Sequence, residues 1–122
     1  MHMRKAGCNR EAAEHLRLGK VYKWARNLAK KYGPTIAVSQ ASEVADSVKY
    51  ITQSMLRGSK TDKAAEADLI ITIGRQTEDD GTRYIHIPKN KLYGGPLTQE
   101  IHRHGYFECR IVPSVARYEG VF

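Results

Sequence analysis

The sequence predicts an α/β domain, with a long helix first, strands buried on both faces next, and strands that reverse on one another toward the end. Three observations carry this expectation. Glu11–Tyr32 contains no proline and sets Leu18, Val21, Ala25, Leu28 and Tyr32 at spacings of three and four, which is one stripe of an α-helix. Thr35–Ser39 and Leu69–Ile73 are short, mostly apolar and partly β-branched runs, the pattern of strands covered on both sides, as in a parallel sheet. Beyond Glu78, turn-forming residues interrupt further strand-like runs at short intervals, as reversing antiparallel strands require.

Taken in order, the helix carries Lys20, Lys23, Arg26 and Lys30 on the side away from its apolar stripe, and Gly33-Pro34 stops it. Proline cannot continue a helix, and glycine can adopt the left-handed cap. Thr35–Ser39 follows directly and is expected to be a central strand. Residues 40–61 are polar and serine-rich, which predicts a loop with one helical turn around Ser47–Ser54. Lys63–Ala67 is expected to form a brief helix that delivers the chain to Asp68 and the strand Leu69–Ile73. Glu78-Asp79-Asp80-Gly81 then predicts a hairpin-type reversal into the strand Arg83–Ile87, closed by Pro88. Tyr93-Gly94-Gly95-Pro96 reads as a loop. Two more strands are expected near Leu97–Arg103 and Tyr106–Val112, separated by His104-Gly105, and the tail after Pro113 carries no firm signal.

A chain of 122 residues with 41% hydrophobic residues has enough apolar material for one domain over residues 1–122 and too little for two. No apolar run reaches the roughly 18 residues of a membrane span, and Met1–Lys5 lacks the apolar stretch of a secretory signal. A soluble, cytoplasmic protein that does not contact membrane is therefore expected. Cys8 and Cys109 stand far apart without Cys-x-x-Cys spacing, so free thiols are expected. The formal charge of +7 is concentrated at the front, where residues 1–32 hold nine basic and two acidic side chains while the remainder is balanced. Such a field draws phosphate-bearing partners across about a Debye length of ~8 to 10 Å. Taken alone, it is more readily the solvated face of a helix.

A nucleotide-binding phosphate loop needs Gly-x-x-x-x-Gly-Lys-Ser/Thr, so that backbone N–H groups wrap the phosphates. Gly58-Ser59-Lys60-Thr61 comes near its end, but Ser59 separates the glycine from the lysine, and Gln53 stands where the first glycine belongs. No apolar strand ends in the acidic residue that holds magnesium beside ATP, since Asp68 precedes its strand. Both halves of an ATP site are thus missing from the sequence. His102-x-His104, with Glu100 and His86 or Cys109, is the only arrangement with any metal-ligand character. Without a second pair at ligand spacing, no metal site is expected. Tyr22, Trp24 and Tyr32 are expected to pack, because basic residues do not interleave with them in a regular way. Asp79 and Asp80 with the histidines would be the material of a metal-dependent nuclease, the weakest of the enzymatic readings.

Several segments taken together carry a resemblance. Val38-Ser39-Gln40 ends the first apolar run, Met55-Leu56-Arg57-Gly58-Ser59-Lys60 leads to Ala67–Ile73, and Ile87-Pro88-Lys89-Asn90-Lys91 precedes a glycine-rich loop. This order, from about Val21 to Val112, resembles the C-terminal part of the RecA-like core of the hexameric replicative DNA helicases of bacteria and phages. The resemblance implies a partial RecA-like sheet of the P-loop NTPase type, in a chain lacking its Walker A and Walker B segments. It implies that Gln40 senses a γ-phosphate, a task suited to an amide that donates and accepts at once. Arg57, Gly58, Ser59, Lys60 and Lys63 would then contact single-stranded DNA in the channel, with cations and a hydroxyl for phosphate. Lys89 and Lys91 would reach the γ-phosphate bound by a neighbouring subunit and stabilise charge during transfer. The family has arginine at the second of these positions, and Lys91 keeps the charge without the planar fork. ATP and Mg2+ would enter only through a complete or neighbouring subunit, the isolated chain would lack ATPase activity, and a homo-oligomer with exposed apolar edges is expected. A stand-alone nucleic-acid-binding or assembly protein is the alternative, distinguished by whether a phosphate-loop reading frame lies immediately upstream.

Overall fold

The computed structural model describes residues 3–56, 65–76, 81–92 and 104–121. Among the described residues it is a mixed α/β structure with a long helix, α1 (Met3–Tyr32), helical backbone at residues 65–66 within the brief helix expected over Lys63–Ala67, and a four-stranded sheet, β1 (Leu69–Gly74), β2 (Thr82–Asn90), β3 (Tyr106–Val112) and β4 (Arg117–Gly120). The strands lie in chain order, and every pairing is antiparallel.

The helix begins earlier than periodicity predicts and ends where it predicts. Gly33 takes φ +119°, and its N–H donates to the Ala29 carbonyl at 3.1 Å, closing the last turn with a residue that has no Cβ to clash. Lys30 and Lys31 sit in that turn, at the negative end of the helix dipole. The apolar stripe is only partly covered, with Leu18, Ala25 and Leu28 half-buried and Val21 exposed. Tyr22 is also half-buried, but Trp24 and Tyr32 are 62% and 72% exposed, contrary to the expectation that all three pack. Lys31 Nζ stands 4.9 Å from the centre of the Tyr32 ring, within cation–π range.

Thr35–Ser39 is not a buried central strand. The segment is exposed and unassigned to any sheet, with Ile36 at 91% and Val38 at 97% exposure. β-branched composition favours extended backbone, but a strand forms only where a partner takes up its N–H and C=O groups. In this sheet β1 through β4 pair each with the next, which leaves no parallel position between neighbours. The described sheet is accordingly antiparallel throughout, in place of the expected buried parallel strands followed by antiparallel ones.

Pro88 does not close β2 but lies inside it. Ile70 pairs with Lys89 and Thr72 with His86, so Ile87 and Pro88 together face the single residue Ile71. That is a β-bulge, one of the few sheet positions that tolerate a residue without an N–H. The tail beyond Pro113 also turns out ordered. A 3-10 turn, Pro113–Val115, with proline at its start and Ala116 in the left-handed region at φ 47°, reverses the chain into β4.

Segment 41–56 lies across one face of the sheet. Its ends are tied by an Ala41↔Leu56 bridge and by two bonds to the Met55 carbonyl, from the Ser42 N–H and hydroxyl, both 2.8 Å. Two 3-10 turns, Glu43–Ala45 and Gln53–Met55, bracket the position where one helical turn is expected. Beneath this cover lie the buried side chains Ala45, Ile51, Thr72, Tyr84 and His86. Thr72 Oγ1 and His86 Nδ1 both donate to the Ile51 carbonyl, at 2.8 and 3.0 Å. Tyr50 meets Tyr84, His86 and Tyr106 edge-on, and His86 stacks on Tyr106 at 4.5 Å. Strand alternation puts Ile71, Ile73, Phe107 and Tyr118 on the other face, where they are 56%, 48%, 53% and 48% exposed. No helix among the described residues is long and apolar enough to cross a membrane.

Candidate phosphate-contacting site

Lys89 is the penultimate residue of β2 and Lys91 lies in the bend just beyond it, close enough for the two ammonium groups to act on each other. Pairing with β1 fixes their neighbours. Lys89 faces Ile70 across the ladder, and the Lys91 N–H donates to the Asp68 carbonyl at 2.8 Å. The bulge at Ile87–Pro88 turns this end of β2, and Gln53 Nε2 holds the Pro88 carbonyl at 2.8 Å, bracing the strand just before Lys89.

A third cation arrives from α1. Arg26 Nη1 donates to the Asp68 carboxylate at 2.5 Å and to the Glu66 carbonyl at 3.2 Å. Arg26 is thus more than part of a solvated basic face, and it ties the helix to the start of β1. Its hydrogen bond and charge hold the Asp68 carboxyl below the usual carboxylate range, with Lys91 and Lys89 adding to the effect, and Asp68 in turn raises the Arg26 guanidinium. Burial pushes the Lys89 ammonium down, and repulsion from Lys91 pushes it further. The two ammonium groups therefore crowd each other beside one carboxylate. Because the Asp68 pKa is depressed on folding, what the ion pair contributes is present above the ordinary carboxylate pKa of ~3.9 and is lost as pH falls through the folded value. Arg26, Lys89 and Lys91 meet here around the Asp68 carboxylate, with the Glu66 side chain also acting on Arg26.

Gln40 lies elsewhere. It is exposed, one residue before Ala41, and Ala41 lines a shallow groove with Ser42, Asp46, Gly74, Arg75 and Arg83. That groove opens at the Gly74 end of β1, whereas Lys89 and Lys91 flank its beginning, roughly 16 Å away along the strand. The structure does not gather Gln40 and the lysine pair into one site. The proposed DNA contacts Arg57, Gly58, Ser59, Lys60 and Lys63 lie outside the described residues, as do Glu78–Asp80 and the expected strand Leu97–Arg103.

His86, His104 and Cys109 have structural employment, while His102 lies outside the described residues. His86 is enclosed by Ile51, Tyr50 and Tyr106, and His104 Nδ1 donates to the Ile87 carbonyl at 2.9 Å. The Cys109 thiol is buried, donates to the Arg83 carbonyl at 3.4 Å, and is held protonated by that burial. No group of three or more possible metal ligands occurs among the described residues.

Sequence reasoning anticipated the lysine pair and missed Arg26 as its neighbour. The available signal was weak: an arginine within a basic helix and a lone aspartate before an apolar run, 42 residues apart. No protein-family model, curated protein or solved structure matches this chain.

Proposed function

We propose that this chain is the C-terminal part of a RecA-like, ATP-dependent replicative DNA helicase core, supplying basic groups to a triphosphate held by a neighbouring subunit and a loop to single-stranded DNA. The observation that carries the reading is the meeting of Lys89, Lys91 and Arg26 at the start of β1. Cations fixed by strand pairing and an ion pair meet a phosphate without the reordering that a lone surface lysine requires. The bridge from Ala41 to Leu56 supports the rest of the reading. It joins the residue after the γ-phosphate sensor Gln40 to the residue before Arg57, a short mechanical link from nucleotide to the DNA loop Arg57–Lys63. The sequence holds no phosphate-loop motif, which agrees with a chain that cannot turn over ATP alone.

The test is binding and turnover by the purified chain. Fluorescence anisotropy with labelled oligo-dT is expected to show affinity that falls with salt, and Arg57→Gln with Lys60→Gln to lessen the log–log slope by about 1.4, from ~0.7 per phosphate contact on a single strand. Lys89→Gln with Lys91→Gln should leave DNA affinity nearly unchanged and weaken tripolyphosphate binding. ATP hydrolysis by the chain with DNA and no other protein would refute the reading.

The reading also requires assembly. Ile36 and Val38 on their exposed segment, and Ile71, Ile73, Phe107 and Tyr118 on the sheet, form apolar surface of the kind that marks contact sites. Light scattering at micromolar concentration is expected to show a dimer or larger species, and a clean monomer would count against it.

A further inference from the structure

We propose that Asp68 is a resident counter-ion in the cationic cluster of Arg26, Lys89 and Lys91, and that an incoming phosphate group takes its place on Arg26. The inference deepens the reading of Lys89 and Lys91 as phosphate contacts and rests on it. A strand-initial aspartate with no further role would point to solvent. Asp68 instead turns to α1, where its carboxylate meets Arg26, while its backbone carbonyl receives the Lys91 N–H. Both side chains remain accessible, at 31% for Arg26 and 40% for Asp68, so an anion from solvent or a partner can reach the guanidinium.

The chemistry favours exchange. A guanidinium has five N–H donors in a planar fork, and the Asp68 carboxylate and Glu66 carbonyl both engage Nη1. A terminal phosphate bears more charge and more acceptor oxygens than a carboxylate, and can engage Arg26 and the lysines together. The Glu66 side chain also lies near enough to act on the Arg26 charge, but Asp68 is the carboxylate in direct contact. With the anion absent, Asp68 offsets part of the repulsion among three cations. With the anion bound, the carboxylate becomes a competitor. Arg26 is accordingly assigned a phosphate-contacting role, and Asp68 is a positioning residue that sets how strongly the cluster holds anions.

The experiment titrates the full chain with inorganic tripolyphosphate by calorimetry, following the Arg26 Nε–Hε signal by NMR. Asp68→Asn keeps the shape and removes the competing charge. It is expected to tighten tripolyphosphate binding about two- to five-fold, the range of a partly exposed ion pair, and Arg26→Gln is expected to weaken it. Glu119→Gln makes the same change in net charge on β4, far along the sheet, and should leave affinity unchanged. Binding that is equal or weaker in Asp68→Asn, with Lys89→Gln/Lys91→Gln still impaired, overturns the counter-ion role and leaves the lysine reading standing. Tripolyphosphate binding indifferent to the lysine substitutions overturns that reading itself, and no binding by either the unaltered chain or Asp68→Asn overturns both. Circular dichroism melts establish that each variant is folded, and Asp68→Ser serves as the second neutral variant.

Discussion

Gly74→Ala is expected to destabilise the chain by about 1 to 3 kcal/mol, the range of an overpacked site. A Cβ on Gly74 would stand 2.1 Å from the Lys49 carbonyl oxygen and 2.4 Å from that of Val48, with the Lys49 carbonyl carbon at 2.9 Å. These are backbone atoms of the segment that covers the sheet, so no side-chain rotation relieves the contact. Either segment 48–51 lifts from β1 or the end of β1 moves, and both disturb the packing of Ile51 and Tyr84. Gly105→Ala gives the contrast. There the added Cβ would approach the Phe107 ring at 2.2 Å, but that ring is 53% exposed and can swing outward. Thermal unfolding should therefore show a fall of several degrees for Gly74→Ala, at roughly 4 to 8 °C per kcal/mol for a chain near this size, and a smaller one for Gly105→Ala. A Gly74→Ala variant that melts with the unaltered chain would mean that segment 41–56 does not seat on the sheet.

The same seat explains which parts of this fold were legible in the sequence. The Leu69–Ile73, Arg83–Ile87 and Tyr106–Val112 runs carry enough apolar, β-branched and aromatic residues to declare themselves as strands, and each lies within an observed one. Gly33 marks the end of α1 because positive φ is a local property of glycine. What failed was non-local. Thr35–Ser39 has strand composition, but whether a strand forms depends on a partner that its own residues do not specify. Pro88 signals an end when read alone and a bulge only once the β1 register is known. β4 went unseen because Ala116 takes a conformation usually left to glycine or asparagine, so its turn has no compositional mark. In the candidate site, Lys89 and Lys91 were singled out only through the resemblance of the segment Ile87–Lys91. Arg26 and Asp68 become neighbours only through tertiary structure.

Substituting both donors to the Ile51 carbonyl should have a larger effect than the two single changes predict. Thr72 Oγ1 and His86 Nδ1 converge on that oxygen from adjacent strands, and both side chains are buried. A carbonyl only accepts, so the His86 ring must carry its proton on Nδ1 for this contact. Thr72→Val keeps the shape and leaves the imidazole donor in place. His86→Phe keeps a ring against Tyr106 and leaves the hydroxyl. Each single variant is expected to lose about 1 kcal/mol, the net value of one hydrogen bond, because the carbonyl retains a partner. In the double variant the carbonyl loses both, and leaving a buried polar group unsatisfied costs about 1 to 3 kcal/mol. A double-mutant cycle by denaturant unfolding should therefore give a coupling beyond the sum of the singles. The effect should also reach the ends of segment 41–56. If this clamp seats the segment, exchange of the Ser42 amide, which donates to the Met55 carbonyl, should quicken in the double variant, since loosening the middle of segment 41–56 lowers the cost of opening its ends. Additive stability losses with unchanged Ser42 exchange would show that the two donors act separately and that this clamp does not seat the ends of segment 41–56.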